Sequence, residues 1–366
     1  MMKVTFFTES VVCCAARIGI LSGFERFPNL SFETPLLLTY TKGGSVPHLT
    51  KDVFKMVTSE QQLLSVSLSS TILMADSIKE LNISFADFVG MKDYLNLLSI
   101  HDPADTTNSG FQQLDSISIW PRTGRSRLTA KKYMELVQTF KPDLYVALCD
   151  GDTNINSSAK RVSNAVDRSK ILLEQCLSIH QDSGMLKSTG ILDGLHNNGP
   201  SVQNISSKLI KHVVQHTTNL LPADKIRASM GCWNPATVLD LIELGVDIFD
   251  SSYPYIISEQ SQALVFMCDD DSCENQCVIS VTNKRYKEDF SPICMKCACL
   301  TCRNHTRAYL HHLQHTREML GSVLLMIHNI HYYLTFFAAI RDGLKNGTFD
   351  QFQTKIRLKY ATTNFK

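Results

Sequence analysis

Three cysteines near the carboxyl end of the chain are spaced closely enough to share one metal ion. Cys297, Cys299 and Cys302 form a Cys-x-Cys-x₂-Cys run, and His328 follows 26 residues later in a segment rich in leucine and aromatic side chains. Three thiolates and one imidazole make up a tetrahedral set typical of structural zinc. Such a site fastens a short hairpin to a longer segment, so we predict that it organises structure and carries no chemistry.

Other uses of these cysteines stay open at this point. Cys294 precedes the run, so an all-cysteine site or a set of redox thiols also fits the spacing. The acidic stretch from Cys268 to Cys277 is interpreted as a solvated loop and not as a second metal site. Residues 1–23 lack an uninterrupted apolar core and a small-residue cleavage site, so no secretory signal is expected. Clustered thiols in a reducing compartment more often bind metal, and we do not expect disulfides.

Two aspartates follow apolar segments that read as buried strands. Asp150 follows Leu144–Cys149, and Asp250 follows Val246–Phe249. Carboxylates at the carboxyl ends of barrel strands can act as a nucleophile, a base or a hydrogen-bond acceptor. Asp is also a common cap of the helix that follows a strand. The pattern by itself leaves both uses open.

Short apolar segments alternate with amphipathic helices from about residue 130 onward. This alternation predicts parallel βα units, and the first 255 residues suffice for a (β/α)₈ TIM-type barrel. The predicted helices are Lys131–Phe140, Ala159–Ser178, Leu209–Leu220 and Pro235–Leu244, and the predicted strands are Leu144–Cys149, Ile226–Gly231 and Val246–Phe249. The first fifty residues, with Phe24–Phe32 and Thr34–Leu38, are predicted to form short antiparallel strands that close the barrel bottom or pack on it.

Net charge and hydropathy do not by themselves exclude binding to nucleic acid or a membrane-spanning segment. The net charge of +1 predicts no strong field for nucleic acid or membranes, although local patches could still bind RNA. The apolar stretch Met319–Ile340 is long enough to cross a membrane. It contains His328, Asn329 and His331, and Arg341 follows it directly, so we predict a buried core helix.

The carboxyl-terminal third resembles the tRNA-guanine transglycosylase family. The segments Cys297–Cys302, Thr306–Leu313 and Leu325–Asn329 match the zinc subdomain of that family in residue type, order and spacing. The resemblance runs over nearly the whole chain. It implies one Zn²⁺ per subunit, held by Cys297, Cys299, Cys302 and His328.

The same resemblance implies roles for residues at the strand ends. Asp250 stands at the position of the family's nucleophilic aspartate, Met230 at that of the methionine that stacks on the purine, and Asp150 at that of the aspartate that reads the base edge. Members of the family exchange an anticodon guanine of tRNA for a modified base. The aspartate attacks the ribose, and the incoming base releases the covalent glycosyl-enzyme.

The chain departs from the catalytic pattern at three places. Asn108 replaces the acid/base aspartate, and an amide cannot carry that proton. The basic Pro-Thr-Arg run is replaced by Pro254–Ile257. The glycine-rich strand that contacts the base has no counterpart between Ser178 and Gly194, so we expect the barrel to lack about one βα unit.

These losses resemble the non-catalytic accessory branch of the family. The resemblance implies a heterodimer with a catalytic subunit, acting in the exchange of guanine for queuine at the wobble position of tRNA with a GUN anticodon. A homodimer without the partner, a cytoplasmic location and peripheral association with the mitochondrial outer membrane are further expectations. Two alternatives stay open: an active transglycosylase that uses Asp250, and a zinc-stabilised barrel that binds queuine or RNA.

The resemblance also implies a division of the chain. We expect a barrel with amino-terminal antiparallel strands over 1–256, an insertion and zinc-binding subdomain over 257–335, and a carboxyl-terminal helical segment packing on the barrel over 336–366. The helix predicted over Thr306–Leu325, with Tyr309 and His312, is expected to contact the catalytic subunit. The basic run Lys284–Lys287 is a candidate for phosphate contacts with tRNA.

Overall fold

The computed structural model describes residues 4–11, 15–106, 111–153, 157–183, 190–192, 195–196, 207–268 and 276–363. The strands are β1 (Thr5–Val11), β2 (Arg17–Ser22), β3 (Phe32–Thr34), β4 (Leu36–Thr41), β5 (Leu63–Ser67), β6 (Leu95–Ser99), β7 (Ser116–Ile119), β8 (Ser126–Thr129), β9 (Leu144–Val146), β10 (Gly190–Leu192), β11 (Leu195–His196), β12 (Ala228–Met230), β13 (Ile248–Asp250), β14 (Gln262–Leu264) and β15 (Val278–Ser280). The helices are α1 (Lys51–Val57), α2 (Leu68–Thr71), α3 (Ala75–Leu81), α4 (Phe85–Phe88), α5 (Ala130–Phe140), α6 (Ala159–Asp182), α7 (Ser207–Leu220), α8 (Pro235–Glu243), α9 (Ser252–Glu259), α10 (Leu300–Asn304), α11 (Arg307–His315), α12 (Met319–Lys345) and α13 (Phe349–Thr363).

A curled parallel sheet forms the centre of this mixed α/β fold. Six strands make its body, in the order β9–β6–β5–β4–β13–β12, and every neighbouring pair among them is parallel. The short strands β10 and β11 extend the two ends, on β9 and β12 respectively. Only residues 193–194, which lie outside the described residues, separate β10 from β11 in the chain. The two strands at opposite ends of the sheet, β10 and β11, are therefore close neighbours in the chain.

The helices predicted between the strands are confirmed, because their start and stop signals act locally. In α8, the side chain of Asn234 accepts a hydrogen bond from the Thr237 N–H at 3.0 Å, and Pro235 occupies the first turn. Gly245 follows with φ +88°, a conformation that ends the helix at little cost for glycine. Similar hydroxyl caps begin α5 at Thr129 and α6 at Ser158.

An antiparallel sheet of β1, β2 and β3 lies at the amino-terminal ends of the central strands. Antiparallel strands were predicted in this region, but of the predicted segment Phe24–Phe32 only Phe32 belongs to one. Buried Arg17 on β2 pairs with Asp247, which comes directly before β13, at 2.5 Å. Arg26 pairs with Asp143, directly before β9, at 2.6 Å. Both ion pairs join the amino-terminal segment to the bottom edge of the parallel sheet.

One prediction for this region is wrong. Leu36–Leu38 belongs to β4, a parallel strand in the middle of the central sheet, and not to an antiparallel strand. All six residues of β4 are buried, because both faces of the strand are covered. A short apolar run buried on both faces is typical of a central parallel strand.

The apolar segment near the carboxyl end is a core helix. α12 is long and apolar enough to span a membrane, but 67% of its most apolar eighteen-residue window is buried inside the protein. Asn329 on α12 accepts a hydrogen bond from the Leu264 N–H at 2.9 Å, and Tyr333 donates one to the Trp233 carbonyl at 3.1 Å. These bonds fasten α12 to β14 and to the segment between β12 and α8.

The single helix predicted over Thr306–Leu325 is wrong. The chain forms α11 and α12 with a turn between them, in which Arg317 has φ +59°. The Glu318 N–H donates to the Leu313 carbonyl at 2.9 Å and closes the end of α11. The turn sends α12 back into the core and leaves α11 at the surface.

Candidate functional site

Asp250 ends strand β13 and is almost fully buried. Its Oδ2 accepts a hydrogen bond from the Gly231 N–H at 2.5 Å, and its Oδ1 accepts one from the Ser252 N–H at 2.8 Å. Burial raises the pKa of Asp250 to about 6, and the charge of Asp102 acts in the same direction against these hydrogen bonds. A carboxyl at a strand end with a raised pKa can serve as a nucleophile or a proton acceptor.

Met230 lies on the neighbouring strand, directly before the residue that holds Asp250. It is the last residue of β12 and is buried. The Gly231 N–H that donates to Asp250 follows it in the chain. The structure thus places Met230 and Asp250 at the same edge of the sheet. Asn108 lies outside the described residues.

A second buried carboxyl near Asp250 escaped the sequence reasoning. Asp102 comes three residues after β6 and accepts the Tyr40 hydroxyl at 2.8 Å and 3.0 Å on its two oxygens, as well as the Ala104 N–H at 3.0 Å. Burial raises the pKa of Asp102 above its ordinary value, although these two donors oppose the rise. The signal that could have revealed it is an apolar strand-like run shortly before an aspartate, here Leu95–Ser99, because the same kind of signal pointed to Asp150 and Asp250.

Asp150 is held by two arginines of α6. Arg161 donates to both carboxylate oxygens, at 2.8 Å each, and Arg168 contacts Oδ2. The Asp152 N–H adds a third donor at 3.1 Å. Burial acts to raise the pKa of Asp150, but the hydrogen bonds from Arg161 and Asp152 and the positive charges of both arginines outweigh it, so the pKa lies below its usual value. This carboxylate stays ionised and is engaged by its own chain.

Aromatic and charged side chains lie over the same edge of the sheet. Tyr255 on α9 packs on Tyr40 with ring centroids 5.3 Å apart, and the Lys42 ammonium lies 5.7 Å from the Tyr255 ring. Lys42 also pairs with Asp105 at 3.0 Å. Tyr255 belongs to Pro254–Ile257, the segment expected from the sequence to replace a basic run, and it covers Tyr40.

The cysteine run and the predicted histidine form a compact cluster. The ligand atoms of Cys297, Cys299, Cys302 and His328 all lie within 4.8 Å of one another. His328 Nδ1 lies 3.7, 3.6 and 3.3 Å from the three sulfurs in that order. A tetrahedral ion with ordinary zinc bond lengths separates nitrogen and sulfur ligands by about 3.6 Å. The donor set therefore fits a tetrahedral metal ion.

The surroundings of His328 fix its orientation. The ring is fully buried on α12, and Nε2 lies 2.9 Å from the Leu264 carbonyl oxygen at the end of β14. A hydrogen bond from Nε2–H to that carbonyl leaves Nδ1 as the free ligand atom. Cys299 caps α10 and Cys302 lies on it, so the cluster connects α10, α12 and β14.

Cys294 does not join this cluster, because it forms a disulfide with Cys268. The expectation that the chain forms no disulfides is therefore wrong in this structure. Of the acidic stretch beside Cys268, residues 269–275 lie outside the described residues, and Cys277 is buried. The four-cysteine alternative that needed Cys294 is not what this structure forms.

A family model described as "Queuine tRNA-ribosyltransferase" matches residues 13–197 and 185–362. The chain is 38% identical to a protein of Anopheles gambiae named "Queuine tRNA-ribosyltransferase accessory subunit 2", over 96% of this chain and 89% of the other. Proteins with the same name from Aedes aegypti and Drosophila melanogaster are 35% and 36% identical, over 94% and 98% of this chain and 90% and 93% of theirs.

Proposed function

The chain belongs to the queuine tRNA-ribosyltransferase family, and on that premise we propose that it is a non-catalytic accessory subunit of that enzyme. Its partner is a catalytic homologue, and the substrate of the heterodimer is a tRNA with a GUN anticodon, in which guanine at the wobble position is exchanged for queuine. The match to proteins named as accessory subunits, over almost the full length of both chains, carries this proposal.

The state of the strand-end carboxylates supports a role without chemistry. Asp150 is bound by Arg161 and Arg168, so its oxygens are not offered to a base. Asp102 is bound by Tyr40, and Asp250 accepts two backbone N–H groups. In this site, hydrogen-bond donors of the chain itself occupy the carboxylates that a catalytic relative would use to contact its substrate.

We propose that the Cys₃His cluster binds one Zn²⁺ per chain. Four nitrogen and sulfur donors without an open position are typical of structural zinc. The ion would supply a cross-link between the loop of Cys297, the helix of Cys302 and α12. All four donors lie within the proposed 257–335 subdomain, and α12 continues from it into the helical segment of 336–366, so the link would also stabilise that segment.

We also propose that the central sheet is a TIM-type barrel that lacks about one βα unit. The adjacency of β10 and β11 in the chain supports this, because the two ends of the sheet are then drawn together. Between α6, which follows β9, and β12 there is one βα unit, made of β10, β11 and α7. A complete eight-unit barrel would have two units at this place.

The surface beside the metal cluster is the proposed contact with the catalytic subunit. Phe290 is 78% exposed. The backbone N–H groups of Arg307 and Ala308, in the first turn of α11, donate hydrogen bonds to the carbonyls of the two residues on either side of Phe290. Tyr309 on that turn is 38% exposed, and Met319 at the start of α12 is 85% exposed. His312 is exposed on the same helix. Exposed apolar side chains of this size are typical of a protein interface.

The basic run is proposed to contact tRNA phosphates. Lys284, Arg285 and Lys287 are exposed, and Arg285 lies 4.7 Å from the ring of Tyr286. Such contacts position a nucleic acid without reading its sequence.

The proposed location of the protein is the cytoplasm, and we propose that the chain self-associates when the partner is missing. Attachment to the mitochondrial outer membrane would be peripheral, since α12 is mostly buried.

The test is base exchange on tRNA by this chain alone, by a catalytic homologue alone and by both together. We expect incorporation of labelled base by the mixture at a rate well above either protein alone. Asp250→Ala should leave the rate of the mixture unchanged. No stimulation by this chain would overturn the accessory role.

One observation favours a second function. The buried Asp102 near Asp250 is a carboxyl that could serve as an acid, although the predicted acid position holds Asn108. The chain would then be an active transglycosylase with Asp250 as its nucleophile. Base exchange by the isolated chain that Asp250→Ala abolishes would establish this function.

A further inference from the structure

Arg161 contacts Asp150 in the way that a bound ligand would contact this carboxylate. Two N–H groups of one planar guanidinium donate to the two oxygens of one carboxylate, each at 2.8 Å. A bidentate pair of this kind uses the full in-plane edge of the carboxylate. A second planar ligand with two parallel donors cannot occupy that edge at the same time.

Guanine presents the same donor pattern. Its N1–H and 2-amino N–H point in one direction along one edge of the ring, at the spacing of two guanidinium N–H groups. Such an edge pairs with a carboxylate in the way that a guanidinium does. Asp150 follows β9 at the carboxyl edge of the sheet, where Asp102 and Asp250 also lie.

The helix α6 fixes Arg161 in this position. Ser158 caps the helix by accepting the Arg161 N–H at 3.2 Å, so Arg161 lies in the first helical turn. Its guanidinium donates a further hydrogen bond to the Asp152 carbonyl at 2.8 Å. Its side chain is 25% exposed, whereas that of Arg168, two turns along the same helix, is 10% exposed. Arg168 therefore neutralises the carboxylate from inside, and Arg161 closes it from the solvent side.

We propose that the guanidinium of Arg161 is a built-in substitute for a purine base, and that it excludes guanine from Asp150 in this chain. The proposal rests on the accessory function and gives it a physical cause at one residue. A site closed by its own side chain binds a ligand only in the fraction of molecules in which the side chain has left. Arg161 thus sets the lack of base binding at Asp150.

The test is equilibrium dialysis of the full-length chain with radiolabelled guanine. Arg161→Ala should bind guanine at least ~10-fold more tightly than the wild type, as expected if the arginine occupies the site in more than about 90% of molecules. Adenine, which lacks the two parallel donors, should not bind to either protein. Adding Asp150→Asn to Arg161→Ala should abolish the new guanine binding.

The neighbouring Lys160→Ala is the matched control, since Lys160 is an exposed cation one residue away on the same helix. It should bind guanine no better than the wild type. Arg161→Lys keeps the charge but loses the planar fork, and we expect an intermediate gain. This variant also keeps the proposal testable should the alanine variant fail to fold.

Two results would overturn the proposal: wild-type binding of guanine as tight as that of Arg161→Ala, or a folded Arg161→Ala and Arg161→Lys that bind no guanine. Failure of the accessory function has a different signature. In that case the chain fails to stimulate a catalytic homologue in base exchange, whatever its affinity for guanine.

Discussion

Replacing His328 by alanine tests the metal cluster most directly. The substitution removes one of four donors and leaves the Leu264 carbonyl without its hydrogen-bond donor. An orphaned buried carbonyl costs about 1–3 kcal/mol. Truncation of a fully buried side chain of this size adds about 2–5 kcal/mol. We therefore expect a loss of at least about 3 kcal/mol in the free energy of unfolding, before the lost metal affinity is counted.

The assay combines metal analysis by mass spectrometry with thermal unfolding. Purified wild type should carry one equivalent of zinc, and His328→Ala should carry almost none. At about 2 °C per kcal/mol for a chain of this size, Tm should fall by at least about 6 °C. Treatment of the wild type with a strong chelator should lower its Tm, and the same treatment should leave the variant nearly unchanged.

His331→Ala is the matched control. His331 Nδ1 lies 3.8 Å from Cys297 Sγ, so it is a second imidazole beside the cluster on the same helix. It is only partly buried, and we expect this variant to keep its zinc and most of its stability. Zinc retained by His328→Ala and lost by His331→Ala would refute the assignment of His328 as the fourth ligand.

Two further predictions concern the carboxylate site and the surface. The pKa of Asp250 rises from 3.8 to about 6 in the folded state, so the wild type loses up to about 3 kcal/mol of stability as the pH rises through that interval. Asp250→Asn should lack this loss in urea unfolding at pH 4 and pH 7, and equal pH dependence of the two proteins would contradict the prediction. Tyr309→Ala should abolish co-purification with a catalytic homologue while changing stability by less than about 0.5 kcal/mol. Leu358→Ala, which removes an exposed apolar side chain on α13, is its control, and equal loss of the partner in both variants would argue against a contact at Tyr309.

The features predicted best from the sequence are those that depend on residues close together in the chain. The cap of Asn234, the glycine after α8 and the spacing of the three cysteines all act within a few residues, and the structure has α8 and the compact cluster where they were predicted. His328 could be predicted because a lone imidazole in an apolar helix needs a partner.

The remaining features depend on contacts between distant parts of the chain. Asp102 was missed because no strand was predicted before it, and only the fold brings it near Asp250. The turn at Arg317 was missed because a left-handed arginine has no sequence signal comparable to that of glycine. No local pattern indicated that Asp150 would face two arginines of the following helix.

The three strand-end carboxyls suggest how such a pocket loses function without losing its acids. A buried carboxylate without a partner is costly, so an unoccupied binding site of this kind is a local source of instability. A substitution that brings a donor from the same chain removes this cost and at the same time closes the site to a ligand. Arg161 at Asp150 and Tyr40 at Asp102 are donors of this kind. Once a partner subunit performs the chemistry, nothing opposes such contacts, which here join the end of β9 to α6 through Asp150 and the segment after β6 to β4 through Asp102.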